Sequence, residues 1–459
     1  MEDVYRELVS IVGERYVSNH PEERFIYSRD MGTMEPSYPD FVVMPNSTEE
    51  VREIVLLADQ KRIPIVPMGG GLTLSGLCRA LKGGIVLDMK RMNRIIEVNE
   101  ASRYAVVEAG TSQGMLQAYL KKHHPTLKHS IPDSPPIATV GGNVLIHGSG
   151  HLSSMGGFHS EMLNGMEVVL PTGDVVRVGS CAVSPYWFSR SPLPDLAGLF
   201  LGWAGTTGVV TKLAIKLFAN RPLNDVRVLL TEDEELVSDI IPRLTRVQVA
   251  EDILVAMAAK PDWLRGLQTL IINYGAETKR ELTLKRDLLR ESVSTYIDRK
   301  LAGFMPLPGY MREGFLEAPQ KSSSQFADAR KGGGFEYVGA IMPIELFGKA
   351  CRNGIEIAGQ YGMPYSMVVR VIGQGHCMMF SFAYPFNRAD AADVNNARRA
   401  LERTNEMVLE AGGIPWKAEA PAQKQIIRKM DPSTFELVTR LRNLLDPKGI
   451  MNPGNWERE

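Results

Sequence analysis

The sequence predicts two domains in which strands and helices mix closely, α/β or α+β for the first and α+β for the second. Three observations support this prediction. Short apolar runs typical of buried strands alternate with runs whose apolar residues recur at helical spacing. A glycine-rich loop directly follows one of the first strand patterns. After Phe218 the composition changes, Asn220, Arg221 and Pro222 mark a boundary, and strands and helices alternate anew.

The first part begins with a helix pattern. Val4 and Leu8 lie at helical spacing and predict an amphipathic helix over residues 2–14. Ser47 and Glu50 form a possible capping box, in which side chains satisfy free N–H groups at the start of a helix. The other predicted elements are strands at 63–66, 84–89, 104–109 and 209–218, a helix at 112–122, and a hairpin at 166–178 that turns at Thr172-Gly173-Asp174.

The second part is predicted to be an α+β domain that ends in a fixed irregular tail. Two prolines and two glycines in residues 446–454 stop the last helix and restrict the chain that follows it. The predicted elements are helices at 277–300, 344–360, 389–411 and 434–445, and strands at 335–342, 366–372 and 378–384.

Composition excludes several classes of function. The chain has 459 residues and a formal net charge of −1, which argues against a nucleic-acid or anionic-membrane binder. No apolar run of about 18 residues predicts a membrane span, and the acidic start lacks a secretory signal, so we expect a cytoplasmic protein. The four cysteines have no CxxC spacing, which argues against a zinc or iron–sulfur site. If the protein handles electrons, it needs an organic cofactor or a partner.

The glycine-rich loop, residues 67–76, is a candidate anion site. Gly69, Gly70 and Gly71 leave backbone N–H groups without a neighbouring Cβ and allow positive φ, so these groups can converge on one anion. Thr73 and Ser75 add hydroxyl donors, and a diphosphate fits such a cradle. The alternative is a flexible surface loop. The spacing matches neither a Walker A loop nor GxGxxG, which disfavours a nicotinamide-binding Rossmann site.

Several segments together resemble one family. In order along the chain they are similar to the FAD-binding domain shared by vanillyl-alcohol oxidase, p-cresol methylhydroxylase (PCMH) and the D-subunit of glycolate oxidase, and the resemblance covers essentially the whole chain. It implies an α+β fold: a two-subdomain PCMH-type FAD-binding domain (1–218), an α+β cap domain (219–415) and a C-terminal segment (416–459) that returns to the FAD domain. The similar segments are residues 67–76, 139–143, 165–174, 205–211 and 446–454.

The resemblance implies FAD as the cofactor. It assigns the FAD diphosphate to the glycine-rich loop, the flavin to the segment around residue 140, and the adenine end to the start of a strand. The residues carried over are Pro67, Met68, Gly69, Gly70, Gly71, Leu72 and Thr73 in the loop, Pro132, Thr139, Gly141, Gly142 and Asn143 along the flavin, and Gly208 and Val210 near the adenine.

The catalytic residues are harder to carry over, because the sequence departs from both branches of the family. The hydroxy-acid branch has GDGN-His and EHG motifs, whereas this chain has Gly-Gln-Gly before His376 and lacks EHG. Lys417 stands where the phenol branch has an arginine beside the flavin, and Phe158 replaces an acidic residue before His159. His376, Lys417 and His159 remain the candidate catalytic residues.

Each candidate has an alternative role. His376 is a base, a covalent flavin link or a structural histidine that the backbone satisfies. Lys417 is a cation beside the flavin or a solvated charge. His147, His151 and His159 have a spacing compatible with a metal site, but the resemblance favours a polar loop facing the flavin, and we expect no metal.

The predicted function is FAD-dependent oxidation of an alcohol carbon, with hydride transfer to flavin N5. The substrate is a 2-hydroxy acid such as glycolate or D-lactate, or an aromatic alcohol or phenol. The alternatives are a flavoprotein subunit that only relays electrons within a complex, and an NADPH-linked reductase. Electrons leave through a separate iron–sulfur, flavin or cytochrome subunit, or directly to oxygen. No nucleic acid and no membrane span are expected.

Overall fold

The structure, a computed structural model, describes residues 2–30, 32–73, 76–257, 266–317 and 333–458. Leu74 and Ser75 of the glycine-rich loop lie outside the described residues, so the hydroxyl donor predicted at Ser75 is not placed. The fold is α+β, as predicted. In the described part of the chain no helix has the length and apolar character needed to cross a bilayer.

Helices and strands alternate along the chain. The helices are α1 (Glu2–Val12), α2 (Pro21–Tyr27), α3 (Thr48–Lys61), α4 (Gln113–His123), α5 (Val140–Leu145), α6 (Ser153–Gly156), α7 (Glu234–Arg246), α8 (Lys279–Ser292), α9 (Ser294–Asp298), α10 (Gly309–Glu317), α11 (Phe347–Gln360), α12 (Ala391–Ala411), α13 (Ala420–Lys429) and α14 (Pro432–Leu445). The strands are β1 (Val17–Ser18), β2 (Phe41–Val43), β3 (Ile65–Met68), β4 (Ile85–Asp88), β5 (Ile95–Asn99), β6 (Tyr104–Glu108), β7 (Leu127–Lys128), β8 (Leu163–Val169), β9 (Val175–Gly179), β10 (Val209–Lys216), β11 (Phe218–Ala219), β12 (Leu223–Thr231), β13 (Asp252–Met257), β14 (Gln268–Ala276), β15 (Gly303–Pro306), β16 (Gly334–Met342), β17 (Ser366–Ile372), β18 (Cys377–Phe386) and β19 (Ile414–Trp416).

The first sheet carries the glycine-rich loop. Its strand order is β1-β2-β4-β3, and β2 and β3 run parallel to β4. Helix α3 packs its apolar face on this sheet and begins at the predicted cap, where Ser47 Oγ accepts a hydrogen bond from the backbone N–H of Glu50 at 3.1 Å. The loop leaves the carboxyl end of β3, where ligands bind in sheets of this kind.

The second sheet has the order β5-β6-β10-β8-β9 and is antiparallel throughout. The predicted hairpin at 166–178 is the β8–β9 pair, and the predicted strand at 209–218 is β10. Helices α4 and α5 pack on this sheet through an apolar cluster that includes Leu116, Val140 and Leu213. This packing fixes the start of α5 near the glycine-rich loop.

The third sheet has eight antiparallel strands in the order β15-β12-β14-β13-β17-β18-β16-β19. One face packs against α7, α11 and α12 and forms a large apolar core that includes Phe347, Phe380 and Phe382. Phe335, Tyr337 and Trp416 cluster on the opposite face. This second face of the sheet covers the cleft described below.

The C-terminal tail returns to the first sheet. The backbone N–H of Ile65 donates to the carbonyl of Ile450 at 2.7 Å, and the N–H of Asn452 donates to the carbonyl of Ile65 at 2.8 Å. Asp446 shapes the turn, because its carboxylate accepts hydrogen bonds from the N–H groups of Ile450 and Met451. The tail thus extends the sheet edge beside β3. Strand β19 crosses the division expected at residue 415, and the domain limits remain a prediction.

Candidate functional site

A deep cleft lies between the first two sheets and the third. It encloses about 1480 Å³ when the open space at its mouth is counted. All fourteen residues predicted to bind the cofactor line it. The structure therefore brings together segments that are up to 143 positions apart, from Pro67 to Val210.

The glycine-rich loop forms one wall. A Cβ at Gly69 would lie 2.3 Å from Thr139 Oγ1, and a Cβ at Gly70 would lie 3.0 Å from the carbonyl oxygen of Ile137. Gly71 has a φ of +68°, a conformation that side chains disfavour. The loop therefore packs closely against residues 137–139, and its three glycines line the cleft without side chains. A glycine backbone without side chains fits a diphosphate, which peptide N–H groups bind.

Residues 139–143 form the facing wall. Thr139 caps α5, and its Oγ1 accepts a hydrogen bond from the N–H of Gly142 at 3.2 Å. The N–H of Gly141 donates to the carbonyl of Ala109 at 3.1 Å, and a Cβ at Gly141 would lie 2.6 Å from that oxygen. These contacts pack the start of α5 closely against Ala109, the residue after β6. Thr139, Gly141, Gly142 and Asn143 all line the cleft on this side.

The adenine end is predicted at the start of β10. Gly208 leaves no space for a side chain, because a Cβ there would lie 2.9 Å from the carbonyl oxygen of Val169. Val210 is buried and lines the cleft, and a Cβ at Gly205 would lie 3.3 Å from the Pro67 ring. The residue types present therefore fit FAD along the whole cleft.

The third sheet closes the other end of the cleft with aromatic and sulfur-containing side chains. Tyr337 comes from β16, Met379 from β18, and Trp416 from β19. The rings of Tyr337 and Trp416 meet edge to face at 6.3 Å. The indole N–H of Trp416 donates to the carbonyl of Ile146, just after α5. This hydrogen bond ties the third sheet to the wall formed by residues 139–143.

Lys417 lies among these rings. Its Nζ is 4.3 Å from the Trp416 ring centroid and 4.8 Å from that of Tyr337, within the range of cation–π attraction. Burial lowers the pKa of Lys417 to about 8, and the carboxylate of Asp30 opposes the shift. The side chain therefore exists in both the ammonium and the amine form near neutral pH. Lys417 lines the cleft, and its role beside the flavin stays a prediction.

A buried ionic cluster supports the cleft behind Asp133. Arg370 of β17 is 1% exposed and binds Asp133 at 2.6 Å and Asp252 at 3.1 Å. His151 Nε2 lies 3.0 Å from the Asp133 carboxylate. Burial raises the pKa of Asp133, but Arg370 and His151 outweigh burial and hold it well below its usual range. Asp133, which lines the cleft, is therefore ionised, and Arg370 is engaged with its two partners.

His159 does not reach the cleft. Its ring nitrogens are bonded to the Asn143 side-chain oxygen and, at 2.9 Å, to Ser130 Oγ. Burial first, then the charges of His129 and Arg370, lower the pKa of His159 to about 3, so the ring is neutral. The catalytic placement expected for His159 is corrected on this evidence: the ring is enclosed and orients Asn143, which does line the cleft.

His376 also lies away from the cleft. Its side chain is exposed in the turn between β17 and β18, and its N–H donates to the carbonyl of Ile372. The prediction that His376 covers the flavin is corrected. The turn at Gly373–Gly375 places its side chain in solvent, and His376 does not line the cleft. Met379, three residues further along β18, reaches the cleft in its place. No described cluster of His, Cys, Asp and Glu has the geometry of a metal site.

Asp133, Tyr337, Met379 and Arg370 were not predicted from the sequence. Asp133 lies in the Pro- and Ser-rich stretch 132–136, whose composition was a signal for a binding loop. Tyr337 and Met379 lie in strands that are buried on both faces, so no alternation of polar and apolar residues marks them. Only the pairing of β16 with β18 brings them together.

Two family profiles match the chain: the FAD binding domain over residues 39–179, and the C-terminal domain of FAD linked oxidases over residues 310–456. Glycolate oxidase subunit GlcD of Bacillus subtilis is 32% identical over 98% of this chain and 96% of its own length. The flavoprotein subunit of 4-cresol dehydrogenase (hydroxylating) of Pseudomonas putida is 27% identical over 97% and 93%.

The fold also resembles that of a solved structure. Substrate-bound p-cresol methylhydroxylase superposes with a TM-score of 0.87 at 19% identity, covering 100% of this chain and 97% of that one. At this identity the likeness establishes the fold. The cleft between the first two sheets and the third therefore belongs to a known architecture.

Proposed function

The chain belongs to the FAD-linked oxidases with a PCMH-type FAD domain and is an FAD-dependent oxidoreductase, and from this premise we propose that it oxidises a phenol or aromatic alcohol. The observation that carries the proposal is the placement of Lys417 between Tyr337 and Trp416 at one end of the cleft. Two rings and the Met379 thioether suit an aromatic ring. The Lys417 side chain suits the oxygen atom that the aromatic ring of the substrate bears.

We assign the holding of FAD to the fourteen residues that line the cleft. The N–H groups of residues 69–73 bind the diphosphate, residues 139–143 support the ring system, and Gly208 and Val210 contact the adenine end. Bound FAD supplies the hydride acceptor, N5 of its ring. His159 keeps Asn143 in place through their hydrogen bond.

Lys417 handles the substrate proton. With a pKa of about 8, its amine form accepts the proton of the substrate hydroxyl, and its ammonium form stabilises the resulting oxyanion. Burial raises the pKa of Tyr337 well above its usual range, so its phenol stays protonated and donates hydrogen bonds. Because the pKa of Asp133 lies well below its usual range, its carboxylate accepts a hydrogen bond from a second donor on the substrate. It does not take up the proton of that donor. The rings of Tyr337 and Trp416 exclude water from the reacting carbon.

A 2-hydroxy acid is the second candidate substrate. The 32% identity to a glycolate oxidase subunit supports it, and the Lys417 ammonium could bind a carboxylate. Among the described residues that line the cleft, Lys417 is the sole cationic side chain, and Arg370 is engaged with Asp133 and Asp252. A cleft with one cation and two aromatic rings favours the aromatic substrate.

We further propose that electrons leave through a separate acceptor subunit and that the protein works in the cytoplasm. Both curated relatives are named as subunits, which supports a partner. The four cysteines are free, with no disulfide between them, as in a reducing compartment. Rapid reoxidation of the reduced protein by air, with formation of hydrogen peroxide, would rule against an obligatory partner.

The test is anaerobic bleaching of the FAD-loaded protein. We expect 4-alkylphenols or benzylic alcohols to bleach the flavin absorbance, and glycolate and D-lactate to do so at least tenfold more slowly. Faster bleaching by the two hydroxy acids would overturn the aromatic assignment and favour the second candidate. Bleaching by NADPH alone would identify a reductase, and no bleaching by any compound would favour an electron-relay subunit.

A further inference from the structure

A second cavity lies behind the cleft. It is bounded by α4 and β7 on one side and by β12, β14 and α10 on the other. Leu120, Leu127 and Leu152 give it an apolar floor, and Phe315 packs on His151 with ring centroids 4.7 Å apart. The cavity shares no lining residue with the cleft, so FAD does not account for it.

Two buried polar atoms in this cavity have no partner in the described part of the chain. They are Asn273 Oδ1 and His151 Nδ1, and their residues are 8% and 6% exposed. The Asn273 side-chain oxygen can only accept a hydrogen bond. A buried acceptor without a donor destabilises a fold, so this oxygen indicates an occupant that donates.

The chemistry of the walls selects the occupant. Lys121 and Lys128 line the cavity, and their positive charges disfavour a cationic occupant. Lys128 is already paired with Glu251 at 2.7 Å, so its charge is balanced within the protein. Phe315 and the leucines favour an apolar or aromatic body. We propose that this cavity is a binding site for a neutral, hydroxyl-bearing small molecule of the phenol type. Its hydroxyl donates to Asn273 Oδ1, and its ring packs beside Phe315.

The experiment uses 4-fluorophenol and fluorine NMR on the FAD-loaded full chain. Asn273→Leu removes one acceptor, and Gln117→Trp fills the mouth of the cavity from α4. Met115→Trp is the matched control, because Met115 is exposed on the same helix and does not line the cavity. We expect Asn273→Leu and Gln117→Trp to weaken one bound signal by about tenfold, the effect of one hydrogen bond of roughly 1.4 kcal/mol. Met115→Trp should leave it unchanged.

4-Fluorophenol bound in the cleft would give a signal that persists in all three variants. This persistence distinguishes it from the signal of 4-fluorophenol in the second cavity. Without 4-fluorophenol, Asn273→Leu should melt no lower than the parent protein, because it removes an unsatisfied buried acceptor. A lower melting temperature together with unchanged 4-fluorophenol signals would overturn the proposal and make Asn273 structural. A crystal soaked in 4-fluorophenol that holds only ordered water at His151 Nδ1 and Asn273 Oδ1 would overturn it as well.

Discussion

At the residue scale, the protonation state of Lys417 controls the rate of the proposed reaction. Its amine is partly buried and lies beside two aromatic rings. Replacing it with methionine keeps the apolar stem and removes the amine. We expect Lys417→Met to slow flavin reduction by on the order of a hundredfold or more, the usual contribution of a positioned base. The parent rate should rise as the pH passes about 8, where the amine form appears, and the variant should lack this rise.

Anaerobic stopped-flow measurements between pH 6 and pH 10 check this prediction, with the exposed Lys82→Met as the control. The pH dependence of the free energy of unfolding is an independent test of the Lys417 pKa. Because the folded pKa of Lys417, about 8, lies below the usual lysine pKa of 10.5, the unfolded chain binds more protons between these values, and stability rises with pH there. Lys417→Met should lose that rise. A pH profile identical to that of the parent would remove Lys417 from the proposed chemistry.

Gly69 tests the diphosphate wall at the same scale. A Cβ at this position would lie 2.3 Å from Thr139 Oγ1, so Gly69→Ala must separate the loop from the cap of α5. We expect the purified variant to lose most of its FAD, measured from the ratio of flavin to protein absorbance. Gly198→Ala is the matched control, because nothing lies within 4 Å of its added Cβ. Full FAD content in Gly69→Ala would contradict the assigned wall.

At the scale of elements, the tail beside β3 depends on Asp446. This carboxylate is 3% exposed and accepts from the N–H groups of Ile450 and Met451 at 3.0 and 2.8 Å. Asp446→Ala leaves both donors without a partner and should lower the free energy of unfolding by roughly 2–4 kcal/mol. The control is Lys448→Ala, which removes an exposed ion pair with Asp59 and should cost at most about 1 kcal/mol. Equal losses in urea titrations would refute the role given to Asp446.

At the scale of the whole molecule, Glu336 joins the N-terminal part to the third sheet. Its carboxylate is 1% exposed and accepts hydrogen bonds from the N–H and Oγ1 of Thr33 at 2.8 and 2.7 Å. Burial raises the pKa of Glu336 to about 8 and that of the nearby Glu419 to about 7, and Glu419 adds to the shift of Glu336. Between about pH 4.5 and about pH 8, the folded protein therefore keeps a proton on Glu336 that the unfolded chain has released.

The sign of the pH dependence follows. An acid whose folded pKa lies above its unfolded value stabilises the fold at low pH, and that stability is lost as the pH rises from about 4.5 through about 8. We expect Glu336→Gln, which keeps an acceptor for Thr33, to flatten this decline. Thermal melting at several pH values measures it, and Glu345→Gln is a control in a more exposed position. Parallel curves for Glu336→Gln and the parent would contradict the assignment.

The sequence by itself determined the local features of this protein. Three adjacent glycines, the cap at Ser47 and the prolines and glycines of the tail restrict the backbone within a few residues, so their conformations could be predicted without knowledge of the fold. The elements predicted with bounds, such as α1, α12 and β16, lie within a few residues of their observed ends, but the predicted helix at 277–300 is two helices, and elements such as α7, α13 and β12 to β14 had no predicted bounds. The resemblance then identified the fourteen residues that the cleft brings together.

Only the tertiary structure decided which side chains close the cleft. Strands β16 and β18 are buried on both faces, so their sequences carry no alternation to show that Tyr337 and Met379 face the cleft. The hairpin turn before β18 directs His376 into solvent, which a motif comparison could not reveal. Arg370 of the third sheet contacts Asp133 across 237 positions, through the packing of β17 near the stretch 132–136. The pairing of distant strands depends on the packing of the whole chain, which the local sequence of a strand buried on both faces does not show.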